Sequence, residues 1–241
     1  MILVSIVGII SAFVMLLLGA DLVWWIAAFI MFFVMSCLGI TVTFHRYLSH
    51  RSFQFKSKWI ERLFTLFGVI GATGSPLAWV AIHKQHHRFS DKEGDPHGPH
   101  LGWKQILLDY DTSVNYHYVK SFLKDPFHRF IHVNGVAIII AYYIFLFILF
   151  GVNGLIFLGL IPQTMNILVG SISNHAMHYF GYTNFETKDD SRNVWWLALI
   201  TWGESWHNNH HANPGKYTFQ HKWWEIDISA FVIKIVGYTG R

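Results

Sequence analysis

The chain has 241 residues, of which 53% are hydrophobic and only 13% are charged. This composition is too apolar for an ordinary water-soluble protein and indicates a membrane protein with one domain, residues 1–241. The net charge of +4 comes from Lys and Arg scattered among aromatic and histidine residues, which argues against nucleic-acid binding. The single cysteine, Cys37, excludes an intrachain disulfide and a cysteine-based zinc site.

Two apolar stretches open the chain. Residues 2–20 and 22–44 are separated by Asp21, and each is near the roughly 20 residues that a helix needs to cross a bilayer. We therefore predict a tight transmembrane hairpin. A signal peptide is the alternative for the first stretch, but no Lys or Arg forms a basic leader and no small-residue cleavage site precedes Asp21.

The same pattern returns later, where residues 136–151 and 155–177 are predicted as a second pair of spans around a glycine-rich break. Residues 63–82 are also apolar, but the stretch contains glycines and Pro76. A fifth span there would split the polar segments, so we predict a membrane-surface or re-entrant helix.

All 18 Lys and Arg residues lie in two polar segments, 45–133 and 181–241. By the positive-inside rule both segments and both termini are predicted on the cytoplasmic side. The predicted fold class is all-α, an integral membrane protein with four transmembrane helices in two hairpins beneath a cytoplasmic helical cap.

Histidine spacing is the strongest chemical signal. Two trios have the spacing i, i+3 and i+4, so each projects from one helical face. A looser pair lies where the second span ends, and one further histidine ends the fourth span. Protonated imidazoles repel one another, so these clusters are explained best by neutral rings that share a metal. The predicted ligands are His45, His50, His83, His86, His87, His178, His207, His210 and His211.

The ligand count favours two metals with four or five imidazoles each, since a zinc site saturates at about four ligands. Two adjacent irons would supply redox chemistry with O₂ that zinc cannot. Glu204 and Asp95 stand beside predicted ligands and are candidates to accept ring N–H bonds. The other histidines lack the spacing and are predicted as surface or supporting residues: His97, His100, His117, His128, His132, His175 and His221.

Three histidine motifs resemble those of the membrane fatty-acyl desaturase family: HRYLSH from His45, HKQHH from His83 and HNNHH from His207. The resemblance covers nearly the whole chain, and the ETKDDSR and WWEID stretches look most like bacterial and cyanobacterial delta-9 members. It implies a di-iron desaturase that uses O₂, with His178 as the ninth ligand and Asn174 holding a metal-bound water.

The chain departs from this family in ways that bear on its partners. Animal acyl-CoA members carry an Arg-Asp pair before the second motif, where this chain has Ala81 and Ile82, so the acyl carrier stays open among CoA, acyl carrier protein and glycerolipid. No HPGG motif of a fused cytochrome occurs. The resemblance therefore implies a separate electron donor, a ferredoxin or a small b-type cytochrome.

Two alternatives remain at this point. A hydroxylase or ketolase of the same metal class would use nearly the same residues, whereas a membrane metal carrier would place histidines inside the spans along a path. We expect an apolar tunnel to select the bond that reacts. Its predicted walls are Trp79, Trp206 and Phe89, although ordinary core packing also explains each of them.

Overall fold

The computed structural model describes residues 2–96, 98, 101–102 and 115–239. The described chain is mostly helical. Its α-helices are α1 (Ile2–Leu17), α2 (Leu22–Phe33), α3 (Lys58–Ile70), α4 (Pro76–Phe89), α5 (Pro126–Asn153), α6 (Ile161–Ala176), α7 (His207–Ala212) and α8 (Ile228–Val236). The other elements are two segments with π-type hydrogen bonds (Val34–Ser49 and Gly154–Leu160), three 3₁₀ turns (Tyr116–Val119, Phe122–Lys124 and Trp195–Leu197) and strands β1 (Gln54–Phe55) and β2 (Gly237–Tyr238). The strands are antiparallel, with Gln54 opposite Tyr238.

Among the described residues, two continuous helical stretches are long and apolar enough to cross a membrane. One is Leu22–Ser49, with 28 residues, and the other is Pro126–Ala176, with 51. At 1.5 Å per residue the second stretch would measure about 75 Å, more than twice the thickness of a hydrocarbon core. It reverses at Gly151, where φ is 60°. The two arms lie side by side, since the Tyr142 hydroxyl donates to the Leu158 carbonyl at 2.7 Å.

The helix boundaries differ from the predicted spans. The helix that begins at Leu22 runs on to Ser49, beyond the predicted end at residue 44. Helix α5 begins ten residues before the predicted span because Asp125 caps it, accepting a hydrogen bond from the Phe127 amide at 2.8 Å. Helix α1 has only 16 residues, which is shorter than the predicted span 2–20.

The prediction of one helix over residues 63–82 is wrong. The chain forms α3 and α4 there, separated by a turn in which Ala72 and Gly74 have positive φ angles of 59° and 101°. Pro76 cannot donate a backbone hydrogen bond, and its fixed φ suits the first turn of a helix. Ser75 caps α4, so this proline starts a new helix instead of continuing α3.

The turn between α3 and α4 is held by two amide side chains of α6. Gln163 donates to the Ile70 carbonyl at 2.8 Å, and Asn166 donates to the Gly71 carbonyl at 2.8 Å. The last carbonyls of a helix have no partner within it. These polar residues of an apolar helix therefore cap the end of α3.

The π-bonded segment Val34–Ser49 packs closely on α3. A methyl group at Gly39 would lie 2.5 Å from the Gly68 Cα atom and 2.7 Å from the Phe67 carbonyl carbon. Both helices therefore need glycine at this crossing, which fixes the segment that carries His45.

Candidate metal centre

Five histidines converge in one group, His45, His50, His83, His87 and His210. Their nearest ring nitrogens all lie within 4.8 Å of one another. The π-bonded segment supplies His45, its C-cap residue is His50, α4 supplies two rings and α7 supplies His210. We call this set the five-histidine group.

The π-type bonding explains how His45 and His50 meet. An α-helix turns five residues through about 500°, which would leave their side chains about 140° apart. The i to i+5 bonding of a π-helix brings the fifth residue back towards the first, and the His50 amide donates to the His45 carbonyl at 3.2 Å. The two ring centroids lie 5.0 Å apart as a result.

Four more histidines form a second group, His86, His178, His207 and His211. The Nε2 atoms of His178 and His207 are 3.1 Å apart. The second group adjoins the first, because the rings of His87 and His211 stack with centroids 4.6 Å apart. We call this set the four-histidine group.

Each predicted carboxylate partner contacts a histidine. Glu204 accepts from His45 Nδ1 and also pairs with Arg46 at 3.0 Å, while Asp95 accepts from His86 Nδ1 at 2.9 Å. Arg46 is fully buried and makes a second ion pair, with Asp227, at 2.9 Å.

Sequence reasoning missed two further carboxylates. Asp91 accepts a hydrogen bond from His178 Nδ1 at 3.1 Å, and Asp189 accepts one from His211 Nδ1 at 2.9 Å. Asp91 lies four residues after His87, so its nearness to the second motif was a usable signal. Asp189 lies in a loop 22 residues before its partner, and only the fold brings them together.

The donor atoms fit bound metal. A ring that gives Nδ1–H to a carboxylate keeps a lone pair on Nε2, and His45 is held in this way. His210 Nε2 lies 3.0 Å from His45 Nε2 and 2.9 Å from His87 Nε2. One ring nitrogen carries either a hydrogen or a lone pair, so hydrogen bonding cannot satisfy both neighbours. A shared cation can.

The donor atoms of the four-histidine group also fit a bound metal ion. His211 donates through Nδ1 to Asp189, and its buried Nε2 has no hydrogen-bond partner among the described residues. An unsatisfied buried polar atom is costly, and a metal ion at this point removes that cost.

Burial keeps the imidazoles neutral. It is the main reason that the pKa of His83, His87, His207 and His210 lies well below the usual value, and neighbouring imidazoles lower it further. Burial acts in the opposite direction on Asp189, but the hydrogen bond and charge of His211, together with hydrogen bonds from Ser191, outweigh it and lower the pKa of this carboxyl group. Neutral rings beside ionised carboxylates are the state that binds metal.

A cavity of about 190 Å³ lies between the π-bonded segment and α6, beside the five-histidine group. Its lining includes His45, His83, Asn174 and Trp79, and the Trp79 ring stacks on His83 at 4.9 Å. The predicted walls Trp206 and Phe89 do not line it. Trp206 is buried against Ala198 and Phe219 instead.

None of the remaining histidines that the structure describes joins either group. His128 pairs with buried Glu61 at 3.1 Å, and His132 bonds to Ser75 at 2.6 Å. His221 lies against Phe185, and His175 lies beside Tyr179. His117 follows its helix cap Asn115, while His97 and His100 lie outside the described residues.

The amino-acid sequence of this chain matches a known protein family. The model of the fatty acid desaturase family matches residues 22–226. The sn-1 stearoyl-lipid 9-desaturase of Synechocystis is 36% identical over 223 residues, which cover 88% of this chain and 69% of that protein. Delta-9 acyl-lipid desaturase 2 of Arabidopsis thaliana is 34% identical, covering 87% and 71%. The sn-1 stearoyl-lipid 9-desaturase of Anabaena variabilis is 34% identical, covering 88% and 80%.

The matched region contains both histidine groups and their carboxylate partners, together with the apolar helix that runs from Leu22 to Ser49. The chain belongs to the fatty acid desaturase family, and its activity is the O₂-dependent desaturation of a fatty acyl chain.

Proposed function

We propose that this chain is a delta-9 desaturase of glycerolipid-bound acyl chains with two irons at its histidine groups. The observation that carries the proposal is the pair of adjoining histidine groups beside a cavity. Three relatives named above as acyl-lipid or stearoyl-lipid desaturases support the acyl-lipid carrier and the bond position. Ala81 and Ile82 are buried, which speaks against a CoA contact at those positions.

The proposed ligands are the nine histidines of the two groups. Glu204, Asp95, Asp91 and Asp189 hold four of these rings with Nε2 turned towards the metals, and such partners commonly change metal affinity 10- to 100-fold. Asn174 lies one turn before His178 and lines the cavity, which supports a role in holding a water at the metal site.

The reaction removes one hydrogen from each of two adjacent methylenes and forms a C=C bond. O₂ takes up these two hydrogens together with two electrons and two protons, and two waters form. When bound, the irons supply the redox chemistry of O₂ activation. The cavity orients the acyl chain, so that one C–C bond lies opposite His45 and His83.

The two electrons come from a separate protein, a ferredoxin or a small b-type cytochrome in our proposal. We also propose that α1, the helix Leu22–Ser49, α5 and the stretch ending with α6 form four spans. Both polar segments and both termini then lie on the cytoplasmic side, as the distribution of all 18 Lys and Arg indicates.

The test is expression in a host that lacks its own delta-9 desaturase, followed by double-bond mapping on separated lipid classes. We expect delta-9 double bonds in glycerolipids before any appear in acyl-CoA. A hydroxylated product that retains oxygen from O₂ would contradict the proposed reaction. Unsaturated acyl-CoA as the first product would contradict the proposed carrier alone.

The ligand assignment has its own test. We expect Ala replacement of any histidine in either group to abolish desaturation, whereas His117→Ala leaves it unchanged. Metal analysis of each purified variant gives a second readout. Full activity and two irons in a variant of either group would remove that residue from the ligand set.

A further inference from the structure

A second concave surface lies away from the metal centre. It is a groove of about 470 Å³ lined by Trp195, Ala198, Leu199, Trp206, Trp224 and Ile226. We call it the tryptophan groove. It shares no lining residue with the cavity beside the histidines. Trp206 forms its floor, and the Trp206 indole donates to the Ile226 carbonyl at 2.8 Å.

The rim of the groove exposes apolar side chains to an unusual degree. Trp195 is 65% exposed and Leu199 is 64% exposed. Contiguous exposed apolar surface of this kind marks a binding site for another molecule or for a membrane.

Charges are turned away from this surface. The stretch 195–202 contains no charged residue. Glu225 lies between two groove residues, yet it is buried and accepts hydrogen bonds from Tyr182 and Asn209. Lys222 lies at the edge of the groove, where its ammonium group is 5.7 Å from the centre of the Trp224 ring. An apolar surface with indoles and one peripheral lysine matches the chemistry of a bilayer interface.

The position of the groove relative to α2 points to the same partner. Trp202, three residues beyond Leu199, packs on Phe32 and Phe33 with ring centroids 5.3 and 5.1 Å away. These phenylalanines lie near the middle of the apolar stretch 22–44, and their neighbours Phe29 and Ile30 are exposed. The segment that carries the groove is therefore packed at the level of lipid-facing residues of α2.

We infer that the tryptophan groove binds acyl chains of bilayer glycerolipids and holds this part of the polar segment in contact with the membrane. The inference rests on the proposed membrane orientation of α2. It adds a lipid contact that is separate from the acyl chain undergoing reaction.

The test uses the full chain in nanodiscs that contain phosphatidylcholine with a diazirine in its acyl chain. After illumination, mass spectrometry identifies the labelled peptides. We expect label in residues 22–33 and also in 195–206 and 222–226. Unlabelled 22–33 would overturn the proposed orientation of α2, whereas labelled 22–33 with an unlabelled groove would overturn this inference alone. Crosslinks between two copies through the groove would also overturn it.

Substitutions of Leu199 test whether the groove itself makes the lipid contact. Leu199→Glu places a charge at the lipid contact, and we expect groove labelling to fall about tenfold while 22–33 labelling and iron content stay the same. Lys216→Glu, an exposed change of charge outside the groove, is the matched control and should alter none of the three. If Leu199→Glu loses iron, the uncharged variant Leu199→Ser replaces it in the labelling experiment. Unchanged groove labelling in both Leu199 variants would contradict the inference.

Discussion

Each imidazole that meets a carboxylate has its proton position fixed by that contact. His211 donates to Asp189, whereas the neighbouring Asp190 contacts the described part of the site through its backbone amide, which donates to Asp91 at 2.6 Å. The adjacent aspartates therefore offer a matched comparison between a side chain that orients a proposed metal ligand and one that does not.

We predict that Asp189→Asn weakens metal binding about 10- to 100-fold, because a neutral amide accepts the His211 N–H bond more weakly than a carboxylate and can present its NH₂ group to Nδ1 instead. Asp190→Asn should leave binding unchanged. Iron retained after dialysis against graded chelator concentrations measures the effect. Equal iron loss in the two variants would show that general negative charge, not the contact with His211, matters.

Arg46 stabilises the same centre from the interior. Its guanidinium pairs with Glu204 and Asp227 and lies 3.8 Å from the centre of the Phe219 ring. We predict that Arg46→Met costs about 3–5 kcal/mol, because it leaves two carboxylates buried without their partner. Thermal unfolding of the purified protein measures this cost. Arg51→Met, at an arginine bonded to Ser121 on the surface, is the control and should unfold at the wild-type temperature.

Much of the site could be predicted at the level of single residues. Regular spacing brings each histidine trio to one helical face, and Glu204 and Asp95 lie close in sequence to motif histidines. Asp91 and His178 are 87 residues apart, so no local pattern could pair them. The wall assigned to Trp206 failed for a related reason, since nearness to a motif in sequence does not decide which side of a short helix a ring occupies.

At the level of secondary structure, hydropathy predicted where apolar helices lie but not where they end. Caps such as Asp125 extend helices into polar sequence, and Pro76 divides a stretch that is apolar throughout. The π-type bonding of Val34–Ser49 has no simple sequence signature, although it decides how His45 meets His50.

The crossing of this segment with α3 provides a test. We predict that Gly39→Ala lowers the apparent unfolding temperature and costs about 1–3 kcal/mol, because the added methyl group meets the backbone of α3. Iron should be lost with it, since His45 lies on the displaced segment. Gly135→Ala is the control, because no atom lies within 4 Å of its added methyl group. A wild-type unfolding temperature for Gly39→Ala would show that the two helices can separate without cost.

For the whole molecule, acid should act through the buried imidazoles. Their pKa values are lowered in the folded chain, chiefly by burial, while unfolded histidine titrates near pH 6.5. Below about pH 6.5 the unfolded chain therefore binds more protons, and stability falls as the pH falls. Carboxylates with lowered pKa values, such as Asp91, add a second loss below about pH 4.

We predict that the unfolding temperature of iron-free protein is level from pH 8 to about 6.5 and decreases from there to pH 5. His117→Gln should follow the same curve, because that residue belongs to neither group. A flat profile down to pH 5 would mean that the imidazoles are protonated in the folded chain as well.

Metal removal should loosen the parts of the chain that the histidines join. The two groups combine residues from α4 and α7, which are 118 or more residues apart, whereas the α5 hairpin contains none of them. We predict faster hydrogen exchange in residues 76–96 and 205–213 after chelation, with little change in 136–153. Unchanged exchange in residues 76–96 and 205–213 would show that packing alone holds these two regions together.

The hydrogen bonds that the Gln163 and Asn166 side chains donate to the turn after α3 can form only late in the synthesis of the chain. The Ile70 and Gly71 carbonyls leave the ribosome 93 and 95 residues ahead of Gln163 and Asn166. At about 5–20 residues per second, that interval lasts roughly 5–20 s. During this time the carbonyls of the turn between α3 and α4 have no partner from α6. They must be hydrated by water or lie at the membrane surface. In the proposed four-span arrangement, α3 and α4 can pack against α6 only after the second pair of helices has been inserted, so the reaction cavity forms late in biogenesis.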